Sequence, residues 1–162
     1  MKILKIRDVK TPTRGTDGSA GIDLYIPNDF KIKRGDEYIE VTNEGYTIGV
    51  GDSVLIPSGI KANVPKGHAL IAMNKSGIAV KKSLMVGACV IDEDYTGEIH
   101  IDLKNVSRSS MIVKAGDKIT QLLCVPVNYV NIEETTSEEE CFGDKLEVSE
   151  RGAGGFGSTG VK

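Results

Sequence analysis

Cysteine and histidine are scarce in this 162-residue chain, and their scarcity closes off several kinds of chemistry. Cys89, Cys124 and Cys141 are an odd, widely spaced set with no CxxC pair, and His68 and His100 are the only histidines. Structural zinc takes four such ligands at short spacings, so no zinc site is legible. Reduced thiols in a cytoplasmic protein are the simplest reading of the three cysteines. Neither histidine stands near a plausible nucleophile; no Ser-His-Asp set emerges, covalent catalysis is disfavoured, and both rings read as structural or exposed. A basic excess is missing too. The net charge is −3, which argues against nonspecific binding to nucleic acid, although a small phosphorylated ligand needs only a few local cations. No apolar run approaches the roughly 18 residues of a membrane span. The opening Met1-Lys2-Ile3-Leu4-Lys5-Ile6 alternates and lacks the apolar centre of a signal peptide. No segment holds a helical period over about 12 residues, and heptads and internal repeats are absent.

What remains is a chain of turns and short β-branched runs. Nineteen glycines, with 40% hydrophobic and 27% charged residues, describe a soluble all-β domain long enough to bury a core. Residues 3–9 read as an edge strand and 11–19 as a polar loop leading into 20–25. Residues 46–56, interrupted by Gly49 and Gly51, predict a hairpin. Turns at Pro57-Ser58-Gly59 and Pro65-Lys66-Gly67 bracket a strand over 60–64. Residues 69–73 form a buried strand, and 78–84 suit a short helix carrying Lys81 and Lys82. Strands over 106–113 and 119–127 flank the turn Ala115-Gly116-Asp117. Composition shifts after Pro126: residues 131–141 are acidic and read as a solvated arm, and 151–160 form a glycine-rich tail. The expected division is a β-barrel domain over 1–126 and an arm with its tail over 127–162.

The densest chemistry lies at 87–98, Gly-Ala-Cys-Val-Ile-Asp-Glu-Asp-Tyr-Thr-Gly-Glu. Cys89, Val90 and Ile91 run into the acidic turn Asp92-Glu93-Asp94; Tyr95 follows and Gly97 closes it. Ile99, Ile101 and Leu103 then alternate with His100 and Asp102, so the pattern predicts a β-hairpin. A fixed carboxylate beside a flat ring suits activation of water next to a ring-bearing ligand. Lys75-Ser76-Gly77 offers a cation, a hydroxyl and close backbone approach at a strand end, a set suited to phosphate or to a simple turn. Gln121 is polar within an apolar strand and needs a partner, in the protein or in a ligand. Asp23 can hold a magnesium ion through water, since the ion keeps most of its waters on a polyphosphate, or it can cap its own loop. Gly152, Gly154 and Gly157 match GxGxxG in form, but too little chain follows Gly157 for the helix of a Rossmann unit, and Ser158 stands where a P-loop has its lysine. What survives is a tail whose backbone N–H groups, Arg151, Ser158 and Thr159 can wrap phosphate oxygens while Phe156 lies on an aromatic base. Direct attack of water on a phosphoryl group fits these residues best.

Five short stretches, in order, resemble the five motifs of the trimeric dUTPases. They are Ala-Gly-Ile-Asp-Leu-Tyr at 20–25, Lys-Ser-Gly at 75–77, the stretch 87–98, Gly-Asp-Lys-Ile-Thr-Gln-Leu at 116–122, and Arg-Gly-Ala-Gly-Gly-Phe-Gly-Ser-Thr-Gly at 151–160. They span nearly the whole chain, and the third and fifth are the most specific. The resemblance implies an all-β jelly roll or distorted barrel whose C-terminal arm is exchanged within a homotrimer, with active sites shared between subunits. It implies hydrolysis of dUTP to dUMP and pyrophosphate with Mg2+, a reaction that limits uracil in DNA and supplies dUMP. Carried over, Asp92 would orient the water that attacks the α-phosphate. Tyr95 would pack on the deoxyribose and leave no room for a 2′-hydroxyl. The backbone of Cys89, Val90 and Ile91 would read the uracil edge. Lys75, Ser76, Gly77 and Gln121 would hold phosphates, and Asp23 would meet magnesium through water. Arg151 would act as an arginine finger, with Gly157, Ser158 and Thr159 beside it and Phe156 stacked on uracil.

Two residues depart from the family pattern. Lys75 stands where arginine is usual and loses the bidentate fork, and Cys89 stands where glycine is common. Residues 42–54 also form a longer segment than the family minimum. A dCTP deaminase shares the fold but would lack Asp92 and Tyr95 in this context. A nucleotide-sensing or protein-binding relative without catalysis is the third reading.

Overall fold

Alternating apolar positions build the strands, and their pairing partners set the architecture. The computed structural model describes residues 1–41 and 44–155. Its elements are β1 (Lys2–Lys5), β2 (Thr13–Arg14), β3 (Ile22–Tyr25), β4 (Lys31–Arg34), β5 (Glu37–Glu40), β6 (Tyr46–Ile48), β7 (Ser53–Pro57), β8 (Ile60–Asn63) and β9 (His68–Asn74), followed by a short helix α1 (Ser76–Lys82). Then come β10 (Leu84–Val86), β11 (Val90–Ile91), β12 (His100–Asn105), β13 (Met111–Val113), β14 (Lys118–Pro126) and two further helices, α2 (Glu138–Phe142) and α3 (Lys145–Val148). Two compact units result, Met1–Asn128 and Tyr129–Lys162. Among the described residues no helix is long and apolar enough to cross a membrane.

The first unit is a jelly-roll-like all-β fold. One five-stranded sheet runs β10-β12-β7-β4-β5 and the other β11-β9-β14-β3-β2, every pairing antiparallel. Two-stranded ribbons, β1-β8 and β13-β6, complete it without closing a barrel. The period-2 pattern is visible in β12, where Ile101 and Leu103 are buried and lie opposite Ile56 and Val54 of β7. Leu24, Leu70 and Leu122 of the other sheet join the same aliphatic core. Stripes of side chains from the inner strands therefore glue the two sheets together.

Three local expectations are corrected. Residues 46–56 do not fold as a hairpin. Gly49 and Asp52 make a turn, Asp52 N–H to Gly49 O at 3.2 Å, but β6 leaves to pair with β13 while β7 pairs with β12 and β4. The 87–103 region is not a hairpin either: β11 joins β9 and β12 joins β7 and β10. Residues 106–113 are not one strand, because the buried Asn105 side chain ties the 105–109 loop, donating to Ile48 O and Ser109 O at 2.9 Å and accepting from Ser107 N–H. The hairpin β4–β5 about Gly35 was not anticipated; its short, highly charged strands carry little apolar alternation.

In the second unit the acidic run stays exposed, and its end, from Glu138, folds into the short helix α2. Ser137 caps α2 by accepting from Glu140 N–H at 3.1 Å, and Glu140 accepts from Thr136 N–H at 3.0 Å. Ser137 is thus an N-cap, Glu140 reaches back one residue further to Thr136, and three carboxylates stand in the first turn, where the helix dipole favours them.

The sheets meet the N-terminal segment at a half-buried ion pair. Arg7 grips Glu98 with both ends of its guanidinium, at 2.8 and 3.1 Å, and Gly59 N–H donates to the same carboxylate at 2.7 Å. Burial pushes the Glu98 carboxyl up, but the Arg7 and Gly59 hydrogen bonds outweigh it and hold it below the usual range. A depressed folded-state pKa stabilises the fold above the unfolded value, about 4.3, and the contribution is lost as pH falls through the folded one. Glu98→Gln should therefore cost about 2 kcal/mol of unfolding free energy at neutral pH. Urea titrations should also show less loss in the variant than in the wild type as pH falls from about 5 to about 3, through and below the unfolded value.

Candidate active site

The pairing of β9, β14 and β3 brings one group of polar residues together. Asp23 on β3 lies opposite Gln121 on β14, which lies opposite Met73 on β9. Lys75 is the first residue past the end of β9. Asp23 is only 4% exposed. Lys75 Nζ donates to its Oδ1, and Lys118 Nζ lies 2.9 Å from its Oδ2. Burial alone would raise the Asp23 carboxyl; the hydrogen bonds and charges of the two lysines more than reverse this and lower it. Lys118 is raised in turn, first by its hydrogen bond to Asp23. Asp23 is thus an ion-paired strand residue rather than a loop cap.

Gln121 has a protein partner: its Nε2 donates to Asn74 O at 2.9 Å. The arrangement depends on Gly21, because a Cβ there would stand 2.1 Å from Gln121 Oε1. Thr120 Oγ donates to Met73 O at 2.8 Å and steadies the same end of β9. Ser76 and Gly77 open α1 and are exposed. Asp23, Lys75, Ser76, Gly77 and Gln121 therefore gather at one strand end, and Lys118, Gly21 and Asn74 join them. Sequence reasoning passed over these three, although Gly21 and Lys118 lie inside the stretches quoted above.

This set does not fit a metal ion held by the protein as it stands. Both Asp23 oxygens carry ammonium partners. No group of three His, Cys, Asp or Glu side chains that could hold a metal occurs among the described residues.

The second group lies at the other end of β9. Val90 and Ile91 pair with Ile71 and Leu70, and Cys89 O accepts from Ala72 N–H at 2.7 Å. The Cys89 side chain is exposed and does not fill the core. Asp92 is exposed, and among the described residues its carboxylate has no hydrogen bond or ion pair; its backbone O accepts from Tyr95 N–H at 3.3 Å. Glu93 differs, for it accepts from Gly67 N–H at 2.7 Å and ties down the neighbouring turn. The Tyr95 hydroxyl donates to Glu98 O at 2.7 Å, and the ring lies across Gly97, where a Cβ would come within 2.4 Å of the hydroxyl oxygen. The ring is 43% exposed and borders a groove of about 340 Å³ that Ile3, Leu4 and Ala62 also line. The Tyr95 ring is thus held at the mouth of an open groove rather than plugged into the core.

The two groups do not meet within one chain. Asp92 follows Ile91, which faces Leu70, and Lys75 lies beyond Asn74 on the same strand. At about 3.3 Å per residue, six residues of β9 separate them by roughly 20 Å.

Arg151 belongs to the second unit, where its Nε donates to Gly154 O at 2.8 Å and it is exposed. Phe156, Gly157, Ser158 and Thr159 lie outside the described residues.

The dUTPase family model matches residues 41–160. The deoxyuridine 5'-triphosphate nucleotidohydrolase of Mus musculus is 37% identical over 149 residues, covering 92% of this chain and 77% of its own. The protein of the same name from Saccharomyces cerevisiae is 34% identical over 163 residues, covering 98% and 95%. The fold is similar to that of the dUTPase of Staphylococcus bacteriophage 80alpha, in a G164S mutant solved with dUpNHpp. The TM-score is 0.77 at 20% identity, over 99% of this chain and 98% of that one.

The two glycine contacts can be checked directly. Gly21→Ala should drive the Gln121 amide off Asn74 O, read as a shift of its side-chain amide resonances. Gly97→Ala should displace the Tyr95 ring at a cost of about 1–3 kcal/mol. Unchanged spectra and stability would show that neither group is held by its glycine.

Proposed function

The chain belongs to the dUTPase family, and from that premise we propose that it is a dUTP diphosphatase, hydrolysing dUTP to dUMP and pyrophosphate. In metabolism the reaction keeps uracil out of DNA and supplies dUMP. The observation that carries the reading is the pair of groups on β9: a cationic, amide-bearing cluster at one end and a free carboxylate beside a fixed aromatic ring at the other.

In the reaction, the oxygen of a water bonds to the α-phosphorus while the bridge to the β-phosphate breaks and pyrophosphate leaves. Asp92 orients that water and accepts its proton. Its exposure and freedom from partners suit a base that must be open to water. Tyr95 packs on the deoxyribose, and its anchoring to Glu98 and Gly97 makes it a rigid wall against a 2′-hydroxyl. The backbone of Cys89, Val90 and Ile91 reads the uracil edge; the Cys89 carbonyl is already spent on Ala72 and Ile91 faces β9 in the same phase, so the outward-facing N–H and C=O of Val90 are the groups free for that role. Lys75, Ser76, Gly77 and Gln121 hold the phosphates. Arg151, Phe156, Gly157, Ser158 and Thr159 close over them from the arm. Positioning and charge neutralisation supply most of the acceleration in such phosphoryl transfers.

Magnesium is the proposed cofactor, and it supplies charge neutralisation on the polyphosphate. With Asp23 fully paired, the ion would come with the nucleotide, and contact through water would require one lysine to let go.

The separation along β9 supports an assembly in which one subunit supplies the phosphate cluster and another supplies Asp92 and Tyr95. We propose a homotrimer with shared sites, the arm over 127–162 crossing to a neighbour and the domain over 1–126 forming the barrel-like body. The exposed, unpaired thiols of Cys89, Cys124 and Cys141 favour a reducing compartment, the cytoplasm.

Pyrophosphate release with magnesium should be fast for dUTP and slow for dTTP, dCTP and UTP; equal rates would remove the specificity argument, and deamination of dCTP would point to the other enzyme of this fold. Asp92→Asn should lower kcat at least about 100-fold. Mixing Asp92→Asn with Lys75→Gln subunits should restore activity above either variant alone, because some shared sites regain both residues. Failure to complement would place the whole site in one chain.

A further inference from the structure

The Asp23 cluster holds more positive charge than Asp23 needs. Lys75 and Lys118 each occupy one carboxylate oxygen. Lys118 Nζ also lies 5.6 Å from the centre of the Tyr25 ring, and Lys10 Nζ lies 4.9 Å from the same ring. That ring is buried, its hydroxyl 2.9 Å from Thr13 Oγ. Three ammonium groups therefore surround one carboxylate and one aromatic face.

Lys75 has two demands on it: Asp23 in the free protein, and phosphate in the reaction above. It stands at the free end of β9 beside Ser76 and Gly77, where the phosphates are proposed to sit. Lys118 is differently placed. It is the first residue of β14, and its ammonium also faces the Tyr25 ring. Of the two, Lys75 is the one placed to leave. A buried carboxylate stripped of its partners is costly, so Lys75 can leave only if something else keeps Asp23 neutral.

We propose that Lys118 is a positioning residue for phosphate binding: it holds Asp23 while Lys75 passes from the carboxylate to the triphosphate, and Tyr25 holds Lys118 in turn. Asp23 then works as a parking place for Lys75 in the nucleotide-free protein. This explains how a lysine serves where the family pattern has arginine: the single ammonium is aimed by a carboxylate whose charge is balanced from the other side. The inference rests on the reading of the chain as a dUTP hydrolase.

Calorimetry with dUpNHpp and with dUMP on the full chain tests it, using wild type, Lys118→Gln, Lys118→Arg, Lys75→Gln and the double variant Lys75→Gln/Lys118→Gln. Lys118 is 44% exposed, and thermal unfolding would verify that each variant is folded. Lys118→Gln should bind dUpNHpp about tenfold more weakly, the loss of one charge-assisted hydrogen bond. It should bind dUMP within about twofold of wild type, and raise KM for dUTP with kcat little changed. Lys118→Arg should restore the triphosphate affinity. In the Lys75→Gln background, adding Lys118→Gln should cost much less than it does alone, because no lysine remains to be released. Additive losses would make Lys118 an independent phosphate contact and overturn the proposal. So would equal weakening of dUMP, or a fall in kcat at constant KM. If wild type hydrolyses dUTP and Lys118→Gln binds dUpNHpp as wild type does, only the Lys118 role fails. If wild type releases no pyrophosphate from dUTP, the hydrolase reading fails and takes this inference with it.

Discussion

The site depends on the pairing of β9. This strand runs antiparallel to β14 over residues 68–74 and takes β11 on its other edge. Through β14 it is linked to β3, so Asp23, Gln121 and the residue after Asn74 lie within one patch. Through β11 it fixes where Asp92 leaves the sheet. A slip of one residue in the β9–β14 register would turn Gln121 to the opposite face and separate it from Asn74. The aliphatic stripe that buries Leu70 and Leu122 against the facing sheet is what forbids that slip. Core packing and site geometry are thus the same constraint seen from two sides.

The two acids that matter show how environment assigns roles to one chemical group. Asp23 is buried, bonded on both oxygens and held below the ordinary carboxylate range by two lysines. It is committed to organising cations. Asp92 is exposed and unpartnered among the described residues, free to meet water. Glu93 and Glu98, in the same short stretch, are spent on Gly67 and on Arg7 with Gly59. These carboxylates therefore divide into one cation anchor, two fasteners and one, Asp92, that stays open to solvent, and their partners set that division.

Much of this was legible in the residues. The all-β class followed from short alternating runs and frequent turns and the buried strand at β9 from its apolar run, while the short helix expected over 78–84 forms two residues earlier, as α1. Gln121 stood out as a polar residue in an apolar strand, and the structure gives it the partner that such a residue requires. Pairing was another matter. Residues 46–56 and 87–103 look like hairpins because each has two alternating runs around a glycine turn. Alternation, however, reports that a residue faces a core, not which strand lies beside it, and in both cases the two runs joined different partners. The Asn105 loop hid for a similar reason: one buried amide ties the loop in place of strand pairing, and no periodicity announces it. In the acidic run, charge density concealed a helix whose cap, Ser137 with Glu140, was present in the letters.

By itself the sequence determined the fold class, the order of five motifs and, through them, the family and its chemistry, because these are properties of residue type and local spacing. Only the tertiary structure decided where those motifs stand relative to one another. It gathered Asp23, Lys75 and Gln121 at one end of β9 and put Asp92 and Tyr95 at the other, and it brought Lys118 onto Asp23 and Tyr25 from nearly a hundred residues away. The physical reason is that hydrogen-bonded register and ion pairing act between residues distant in the chain. A linear pattern records what each residue can offer, and the packed sheets decide to whom it is offered.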